Sequence, residues 1–401
     1  MRHFVEAIVE GLFRLSGSLT SLVIVLIVVF LFKEGSGLFN SSSVESGYVL
    51  CVHPANPIDR LSPSEVKRVF DSDITDWEEI GGRKGEIRLF RFDEVFSLYS
   101  EEELGGETYR LLPEKLAEVV ASDSTIIAFL PERYLTMAND PRIKRLESAT
   151  IGVIDFFNGR EWLPTATPAP LFGVLPLIAG TLWVSLFAIL LALPFGLGVA
   201  IYLSELAGER TRRTLKPTIE LLAGIPSVVY GFFGLVALVP LIQSTLNLPV
   251  GETALAGALV LAIMALPTII TIAEDALRNI PNTMRESSLA LGASRWQTIY
   301  RVIVPCAASG ITAAVVLGIG RAVGETMAVL MVTGNAAVMP HSLFEAVRTI
   351  PATIAAELGE APSGGAHYQA LFMLGCILFI LTMLISISAE FITKKQHHKG
   401  I

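Results

Sequence analysis

Long apolar runs separated by short polar connections make up most of the second half of this chain, and one further run lies near its start. Each run holds enough apolar residues to cross a hydrocarbon core of roughly 30 Å as a helix. The six runs lie near residues 18–33, 171–203, 217–242, 253–273, 304–333 and 368–392. The pattern therefore predicts an all-α polytopic membrane protein with six transmembrane helices.

A polar region, residues 45–165, separates the first run from the second and follows a different pattern. Strand-like runs at 48–52 and 87–92 alternate with helix-like runs such as 62–70, which is typical of an α/β fold. Ser62 precedes Pro63 and has Glu65 three positions later, so it is predicted to form the capping box of this helix. The predicted domains are thus 1–44 (N-terminus and first transmembrane helix), an α/β insertion at 45–165, a transmembrane core at 166–393 and a tail at 394–401.

Composition supports a membrane protein. With 52% hydrophobic and 17% charged residues, the chain lies outside the range of ordinary soluble domains. The first run is unbroken from Leu19 to Phe32 and no small-residue cleavage site follows it, so it is expected to be retained as a signal anchor.

Positive charge is distributed unevenly among the short connections, and this distribution predicts orientation. One set of connections and termini carries thirteen Lys and Arg residues, whereas the opposite set carries Arg348 alone. The thirteen are Arg2, Arg14, Arg210, Arg212, Arg213, Lys216, Arg278, Arg285, Arg295, Arg301, Lys394, Lys395 and Lys399. The positive-inside rule therefore places both termini and the loop 274–305 in the cytoplasm.

The loop contains a polar, arginine-bearing stretch at 286–305, ESSLALGASRWQTIYRVIVP. Its apolar residues recur at three- and four-residue spacings, which predicts short helices, and Gly292 is a predicted break between them. The stretch resembles the EAA loop of ABC importer permeases, a cytoplasmic coupling helix that docks into a groove on the ATPase. The resemblance implies docking residues at Glu286, Ser287, Ser288, Gly292, Ala293 and Arg295. The plainer alternative is that the stretch is only a helical loop joining two spans, since a match to a short motif can arise by chance.

Part of the insertion, residues 53–91, resembles the periplasmic phosphate-binding proteins that deliver substrate to such importers. The matching residues are Pro54, Asn56, Pro57, Leu61, Ser62, Phe70, Ile74, Trp77, Gly81 and Gly82. Where those proteins continue with an anion-binding Ser-Gly-Thr loop, this chain has Phe92, Asp93, Glu94 and Val95, and residues 45–165 carry 23 acidic and 14 basic residues. A negative field does not gather anions, so the insertion is expected to act as a docking or gating cap rather than as a phosphate receptor. A spacer without a role is the alternative.

Two charged residues, Arg321 and Glu325, fall within the fifth predicted span. Four residues apart on a continuous helix, they would share one face and form an ion pair. Charges within hydrocarbon are costly and commonly mark a substrate pathway, although a purely structural pair is the alternative. The same helix follows the 286–305 stretch, so a push on that loop is expected to reach these residues along one rigid element.

The stretches AGIPSVVYG and GRAVGETMAVLMVTGN, taken with the loop, resemble the phosphate importer permeases of the PstC-like branch over residues 160–392. That resemblance implies a type I ABC importer of the bacterial inner membrane, with a MetI-like core and phosphate as the substrate. It also implies a second, PstA-like permease, two PstB-like ATPase subunits and a periplasmic phosphate-binding protein as partners. Arg321 and Glu325 would lie in the translocation region, and Thr326 and Ser227 are the candidate neutral hydrogen-bond donors there.

The chain lacks the sequence features of an ATPase. It contains no G-x-x-x-x-G-K-[ST] motif, and GGRKG at 81–85 is too short to form such a loop. ATP and Mg are therefore expected on the partner ATPase, with no cofactor bound by this chain. The spacing of His53, His341, His367, His397 and His398 does not support a metal site. No nucleic-acid partner is expected.

Two other functions fit the sequence. A buried Arg and helix dipoles suit any tetrahedral oxyanion, so a permease for molybdate or sulfate is one alternative. The other is a membrane-anchored phosphate sensor or regulatory subunit, in which the insertion binds a ligand. A sensor of that kind predicts a cytoplasmic output domain, and the predicted cytoplasmic connections are short.

Overall fold

A computed structural model describes residues 2–45, 47–135, 141–148 and 150–397. The chain forms two compact units. The first, the membrane unit, comprises Met1–Phe32, Leu175–Glu360 and Leu371–Ile401; the second, the insertion unit, comprises Lys33–Val174 and Ala361–Ala370. Of the predicted tail at 394–401, residues 398–401, including His398, lie outside the described residues.

Helices dominate the described chain. They are α1 (Arg2–Ser36), α2 (Pro63–Phe70), α3 (Val95–Leu98), α4 (Leu112–Ser122), α5 (Val153–Asn158), α6 (Leu175–Ile201), α7 (Glu209–Ala223), α8 (Ser227–Phe233), α9 (Val239–Leu246), α10 (Ala254–Arg278), α11 (Asn282–Ala290), α12 (Arg295–Thr298), α13 (Val304–Cys306), α14 (Ala308–Val323), α15 (Met327–Val332), α16 (Ile350–Glu357) and α17 (Ala366–His397). Single π-helical turns at Tyr202–Leu206, Gly234–Leu238 and Ile299–Ile303 interrupt or end some of them.

The predicted polytopic all-α fold is confirmed. Within the described ranges, five helical stretches are long and apolar enough to cross a membrane, and a bent pair brings the number to as many as six. The five are Glu10–Asn40, Leu175–Leu206, Ser227–Leu246, Ala254–Arg278 and Ala366–Ser388; the pair is Arg295–Cys306 with Ala308–Val323, bent by 69°.

The third predicted span, 217–242, began too early. Residues up to Ala223 belong to α7, a separate helix in which no residue is buried, and the apolar span is Ser227–Leu246. Pro226 is the reason, because it disfavours the helical conformation at Ile225 before it and instead starts α8 as its N-cap residue. Hydropathy alone could not detect this break, since α7 ends on apolar residues.

The fifth predicted span, 304–333, is broken rather than continuous. It comprises α13, α14 and α15, with bends at Ala307 and at the 324–326 segment. Breaks of this kind at membrane depth are tolerated where protein or a cavity satisfies the freed backbone.

Small residues hold the core of the membrane unit together around α10. A Cβ on Gly196 of α6 or on Gly318 of α14 would lie 2.9 Å from side-chain atoms of Ile269, so this α10 side chain occupies space left by both glycines. A Cβ on Gly310 would lie 2.3 Å from the Cβ of Ala276. Close approach through small residues is the usual basis of helix packing in membranes, and these glycines let α6 and α14 lie close to α10.

The insertion unit has the predicted α/β fold. Its strands are β1 (Tyr48–Val52), β2 (Arg60–Leu61), β3 (Arg88–Arg91), β4 (Ile126–Pro131), β5 (Lys144–Arg145), β6 (Glu147–Ser148), β7 (Trp162–Leu163) and β8 (Leu171–Phe172). The main sheet has the order β3-β4-β1-β5, with β4 parallel to β3 and antiparallel to β1.

Both faces of this sheet are buried. Along β4, Ile127 and Phe129 pack into one apolar cluster with α2, whereas Ile126 and Ala128 pack into another with α4. Alternate side chains of a strand point to opposite faces, so a helix covers each face of the sheet.

The predicted start of α2 is confirmed. Ser62 Oγ accepts a hydrogen bond from the Glu65 backbone N at 3.3 Å, and Glu65 Oε2 accepts one from the Ser62 backbone N at 2.8 Å. Pro63 occupies the first helical position, where its missing N–H costs nothing.

Candidate functional site

The predicted coupling loop consists of two short helices, α11 and α12, with a break at Gly292, as the sequence indicated. Gly292 has φ +84°. Its backbone N donates to Leu289 O at 2.9 Å, and the backbone N of Ala293 donates to Ser288 O at 3.2 Å. This pair of bonds is a Schellman motif, which ends α11 and turns the chain into α12.

The second helix of the loop is fixed by its own cap. Ser294 Oγ accepts from the backbone N of Gln297 at 3.2 Å, and Gln297 Oε1 accepts from the backbone N of Ser294 at 2.8 Å. The hydroxyls of Ser288 and Thr298 lie 3.0 Å apart and join α11 to α12. The loop therefore has a defined shape set by its own residues.

Its outer surface is exposed and partly apolar. Of the predicted docking residues, Glu286, Ser287, Gly292 and Arg295 are exposed, and Ser288 and Ala293 are half-buried. Beside them, Leu291 is 89% exposed and Trp296 is 60% exposed. A groove of about 670 Å³ runs between the helices, lined by Thr283, Met284, Ser287, Ser288, Leu291, Gly292, Ala293, Gln297, Arg301 and Val302. Apolar side chains exposed in such a patch are typical of a protein-binding surface.

Beneath this surface lies an ion pair that the sequence did not reveal. Arg285 Nη2 lies 2.7 Å from Glu205 Oε1, and Arg285 Nε donates to Glu205 Oε2 at 3.2 Å. The same guanidinium donates to Leu277 O at 2.9 Å and to Ile280 O at 2.5 Å. The side chains of Arg285 and Glu205 are 19% and 8% exposed. Nothing in the local sequence could have paired them, because they are 80 positions apart.

An apolar cluster also joins the loop to the helices α6, α10 and α14. Ile299 and Ile303, in the π turn after α12, pack with Ala200, Leu277 and Ala314. These partners belong to α6, α10 and α14. The loop is thus connected to several helices at once, and the expectation of one rigid element from the loop to Arg321 was wrong. The π turn and the 69° bend interrupt that route.

A second cluster of charges lies where α7 meets α10. Glu274 is 1% exposed, and its carboxylate oxygens lie 2.7 Å from Arg212 Nη2 and 2.5 Å from Lys216 Nζ. Lys216 also donates to Asp275 at 2.9 Å. Burial, the largest influence, lowers the pKa of Lys216, but the hydrogen bonds to both carboxylates outweigh it and raise the pKa above its usual value. The cluster fixes α7 against α10.

Arg321 and Glu325 do not form the predicted ion pair among the described residues. Arg321, in the last turn of α14, donates from Nη1 to Thr268 Oγ1 on α10 at 3.2 Å. Glu325 Oε1 accepts from the backbone N of Ala328, at the start of α15, at 3.3 Å. The prediction assumed a continuous helix, whereas α14 ends at Val323. The two charges instead lie at favourable ends of two helix dipoles.

The two neutral candidates, Ser227 and Thr326, lie at the same end of a helix pair. A Cβ on Gly231 of α8 would lie 2.9 Å from the Cα of Ala328, and one on Gly234 would lie 2.9 Å from Val332 Cγ1. From Gly231 to Gly234 the contacted residue moves from Ala328 to Val332, so α8 and α15 run parallel to each other. Ser227 begins α8 and Thr326 immediately precedes α15, and both are half-buried.

Thr326 follows Arg321 across the break between α14 and α15, and Ser227 lies at the corresponding end of the parallel α8. A guanidinium supplies N–H donors in a planar fork that suits an oxyanion. Arg321 is half-buried and already holds one hydroxyl, so it is partly preorganised for that task. The assignment of Arg321, Glu325, Thr326 and Ser227 to a pathway stays a prediction.

Half of the insertion residues that resemble a phosphate-binding protein are buried, and the large apolar ones belong to its core. Phe70, Ile74 and Trp77 are buried in the cluster on the α2 face, and Trp77 Nε1 donates to Thr125 O at 2.9 Å. At the position of the missing anion loop, Asp93 and Glu94 are exposed and Glu94 Oε1 accepts from the backbone N of Arg91 at 3.3 Å. The backbone N–H of Arg91 is therefore already bonded to the carboxylate of Glu94.

No group of three or more His, Cys, Asp or Glu side chains with the arrangement of a metal site occurs among the described residues.

Residues 192–398 match the family model described as binding-protein-dependent transport system inner membrane component. Among curated relatives, the chain is 41% identical over 257 residues to the probable ABC transporter permease protein YqgH of Bacillus subtilis (strain 168), covering 63% of this chain and 83% of the relative. It is 40% identical over 255 residues to the phosphate transport system permease protein PstC of Mesorhizobium japonicum, covering 59% and 77%. Among solved structures, an inward-facing MetNI methionine ABC transporter chain matches with 22% identity and a TM-score of 0.42, covering 56% of this chain and 94% of that one.

Proposed function

This chain belongs to the family of binding-protein-dependent transport system inner membrane components, and from that premise we propose that it is the permease subunit of an ATP-driven importer of inorganic phosphate. The similarity to a phosphate transport system permease protein over 77% of that relative's length carries the substrate assignment. The single structural observation that supports it best is Arg321, a half-buried guanidinium held by Thr268 next to a broken helix.

A separate ATPase and a substrate-binding protein are the partners that such a permease requires. We assign ATPase docking to the α11–Gly292–α12 surface, because it combines a self-supporting shape with exposed Leu291 and Trp296. The importer would contain a second, PstA-like permease and two PstB-like ATPases, which bind the ATP and Mg.

We attribute transport to alternating access, driven through the contacts that support the docking surface. Closure of the ATPases on ATP would shift α11 and α12, and the apolar contacts of Ile299 and Ile303 would pass that shift to α6, α10 and α14. Because Thr268 lies on α10 and Arg321 on α14, a relative movement of these helices changes the bond that holds the guanidinium. The anion would thus meet a different arrangement of donors in each state. Glu325, bound to the start of α15, limits the net positive potential so that the anion can leave.

Orientation and the role of the insertion complete the proposal. Both termini and the docking surface would face the cytoplasm, on the basis of the Lys and Arg distribution. The insertion, with its net charge of −9, would serve as an extracytoplasmic cap or a docking site for the binding protein.

Uptake of radiolabelled phosphate by vesicles containing the reconstituted complex tests the pathway assignment. Arg321→Gln is expected to reduce uptake by at least about tenfold, since it removes a charge-assisted contact, while the subunits still co-purify. Arg210→Gln, an exposed Arg on α7, is the matched control and should transport normally. Undiminished uptake by Arg321→Gln would exclude Arg321 from the pathway.

Competition by other anions tests the substrate. Unlabelled phosphate should suppress uptake of the label, whereas equal concentrations of molybdate and sulfate should not. If molybdate or sulfate competes more strongly than phosphate, that anion and not phosphate is the substrate.

A further inference from the structure

The guanidinium of Arg285 connects three helical elements of the membrane unit. Its Nε and Nη2 bind the Glu205 carboxylate, in the π turn that ends α6. Its Nη2 and Nη1 also donate to Leu277 O and Ile280 O, at the C-terminal end of α10. Arg285 itself belongs to α11, the first helix of the docking surface, and its Nη1 donates to Asn282 Oδ1 at 3.2 Å. All its nitrogen atoms are therefore engaged.

The bonds to carbonyl groups have a clear physical role. The last carbonyls of a helix have no partner within it, and a basic side chain can satisfy them while also complementing the helix dipole. Leu277 is in the last turn of α10 and Ile280 lies just beyond it. Arg285 thus caps α10 from a different helix, which fixes the position of α11 relative to the α10 axis.

The bonds to Glu205 fix the orientation of the Arg285 guanidinium as well as its position. A guanidinium and a carboxylate joined through several N–H groups have a preferred plane and resist rotation, which apolar contacts such as those of Ile299 do not. Glu205 is nearly buried, so the pair is poorly screened by water. The α6 helix that precedes Glu205 packs along α10 through Gly196 and Ile269.

The docking surface does not need Arg285 for its own shape. The Gly292 turn, the Ser294 cap and the contact between Ser288 and Thr298 are all made within the loop. Removal of Arg285 is therefore expected to leave a surface that still binds a partner but is connected to α6, α10 and α14 only through the apolar contacts of Ile299 and Ile303.

We propose that Arg285 and Glu205 form a positioning clamp that converts movement of the docking surface into movement of α6 and α10. The proposal rests on the proposed function of the chain in an ATP-driven importer. Without the clamp, ATP hydrolysis would continue on the partner and less substrate would cross per ATP.

The test compares five complexes reconstituted in vesicles: wild type, Arg285→Gln, Arg285→Lys, Glu205→Gln and the Arg210→Gln control. Three quantities are measured for each, namely co-purification of the ATPase, the rate of ATP hydrolysis and the number of phosphate ions accumulated per ATP hydrolysed. Glu205→Gln keeps the carbonyl contacts of Arg285 and is the milder variant, so it remains informative if Arg285→Gln assembles poorly.

Both clamp variants are expected to retain the ATPase and to hydrolyse ATP within about twofold of wild type, with at least about a tenfold loss of phosphate moved per ATP. Arg285→Lys should recover part of this ratio, since it keeps the charge without the fork, and the control should match wild type. An unchanged ratio in Glu205→Gln, or losses of hydrolysis and transport in equal proportion, would overturn the clamp. Absence of ATP-dependent uptake by the wild-type complex would instead count against the proposed function.

Discussion

Replacement of Gly292 provides a graded test of the docking surface, because its cost can be worked out from one backbone angle. Gly292 has φ +84°, and a Cβ placed on it would meet no atom within 4 Å. Gly292→Ala therefore introduces strain but no collision. An L-residue in the left-handed region costs about 1–2 kcal/mol, which corresponds to a factor of about 5–30 in the equilibrium constant between the native turn and other conformations.

Other substitutions at this position should rank by the same reasoning. Asn tolerates the left-handed region better than Ala, so Gly292→Asn should cost less. Gly292→Pro should cost most, because proline fixes φ near −65° and removes the N–H that bonds to Leu289 O. The expected order of docking affinity is therefore wild type, Asn, Ala and Pro.

The assay is the Kd of the purified ATPase for the permease complex in detergent or nanodiscs. Gly292→Ala should weaken binding by up to about 30-fold, and Gly292→Pro should abolish it. Gly208→Ala is the control, since Gly208 has an ordinary φ of −69° and also meets no atom within 4 Å. Equal affinity for wild type and Gly292→Pro would refute the assignment of docking to this turn.

Two further predictions concern stability and reactivity. Glu274→Gln leaves Arg212 and Lys216 without their buried carboxylate and should lower the thermal unfolding temperature, by an amount equivalent to about 3–5 kcal/mol in a melting assay. Because the pKa of Lys216 is raised in the folded state, the stability added by the Lys216–Glu274 contact is complete below pH ~10.5 and is lost as the pH rises through the raised pKa. If the wild type loses no more stability than Glu274→Gln above pH ~10.5, this pH dependence is contradicted. Burial raises the pKa of Cys51 to about 12, so iodoacetamide at pH 8 should leave this thiol unmodified in the native protein and modify it after denaturation, as peptide mass spectrometry would detect. Modification of native Cys51 at the rate of the denatured chain would show that the sheet is open there.

Local sequence patterns predicted the structure correctly where it depends on residues that are neighbours in the chain. The Ser62 cap and the break at Gly292 each follow from a few consecutive side chains and their backbone preferences, and both were predicted correctly. Hydropathy also located most of the spans, because a run of apolar residues must be buried in lipid or protein.

Prediction failed where a helix ended inside an apolar run or where a contact joined distant residues. An i, i+4 rule paired Arg321 with Glu325, but a helix end at Val323 separates them and each residue satisfies a nearer group. The pairing of Arg285 with Glu205 depends on how helices meet in three dimensions, and no periodicity encodes it. The sequence therefore predicted the helix–break–helix shape of the 286–305 loop but could not identify what connects the loop to the membrane helices.

The central claim is that this chain forms the pathway of an ATP-driven phosphate importer. Sealed vesicles containing the complete complex, with binding protein and radiolabelled phosphate outside and ATP inside, test it most directly. The account predicts phosphate accumulation against its gradient that requires ATP and is lost when this subunit is omitted. Accumulation that proceeds equally without ATP, or without this subunit, would contradict it.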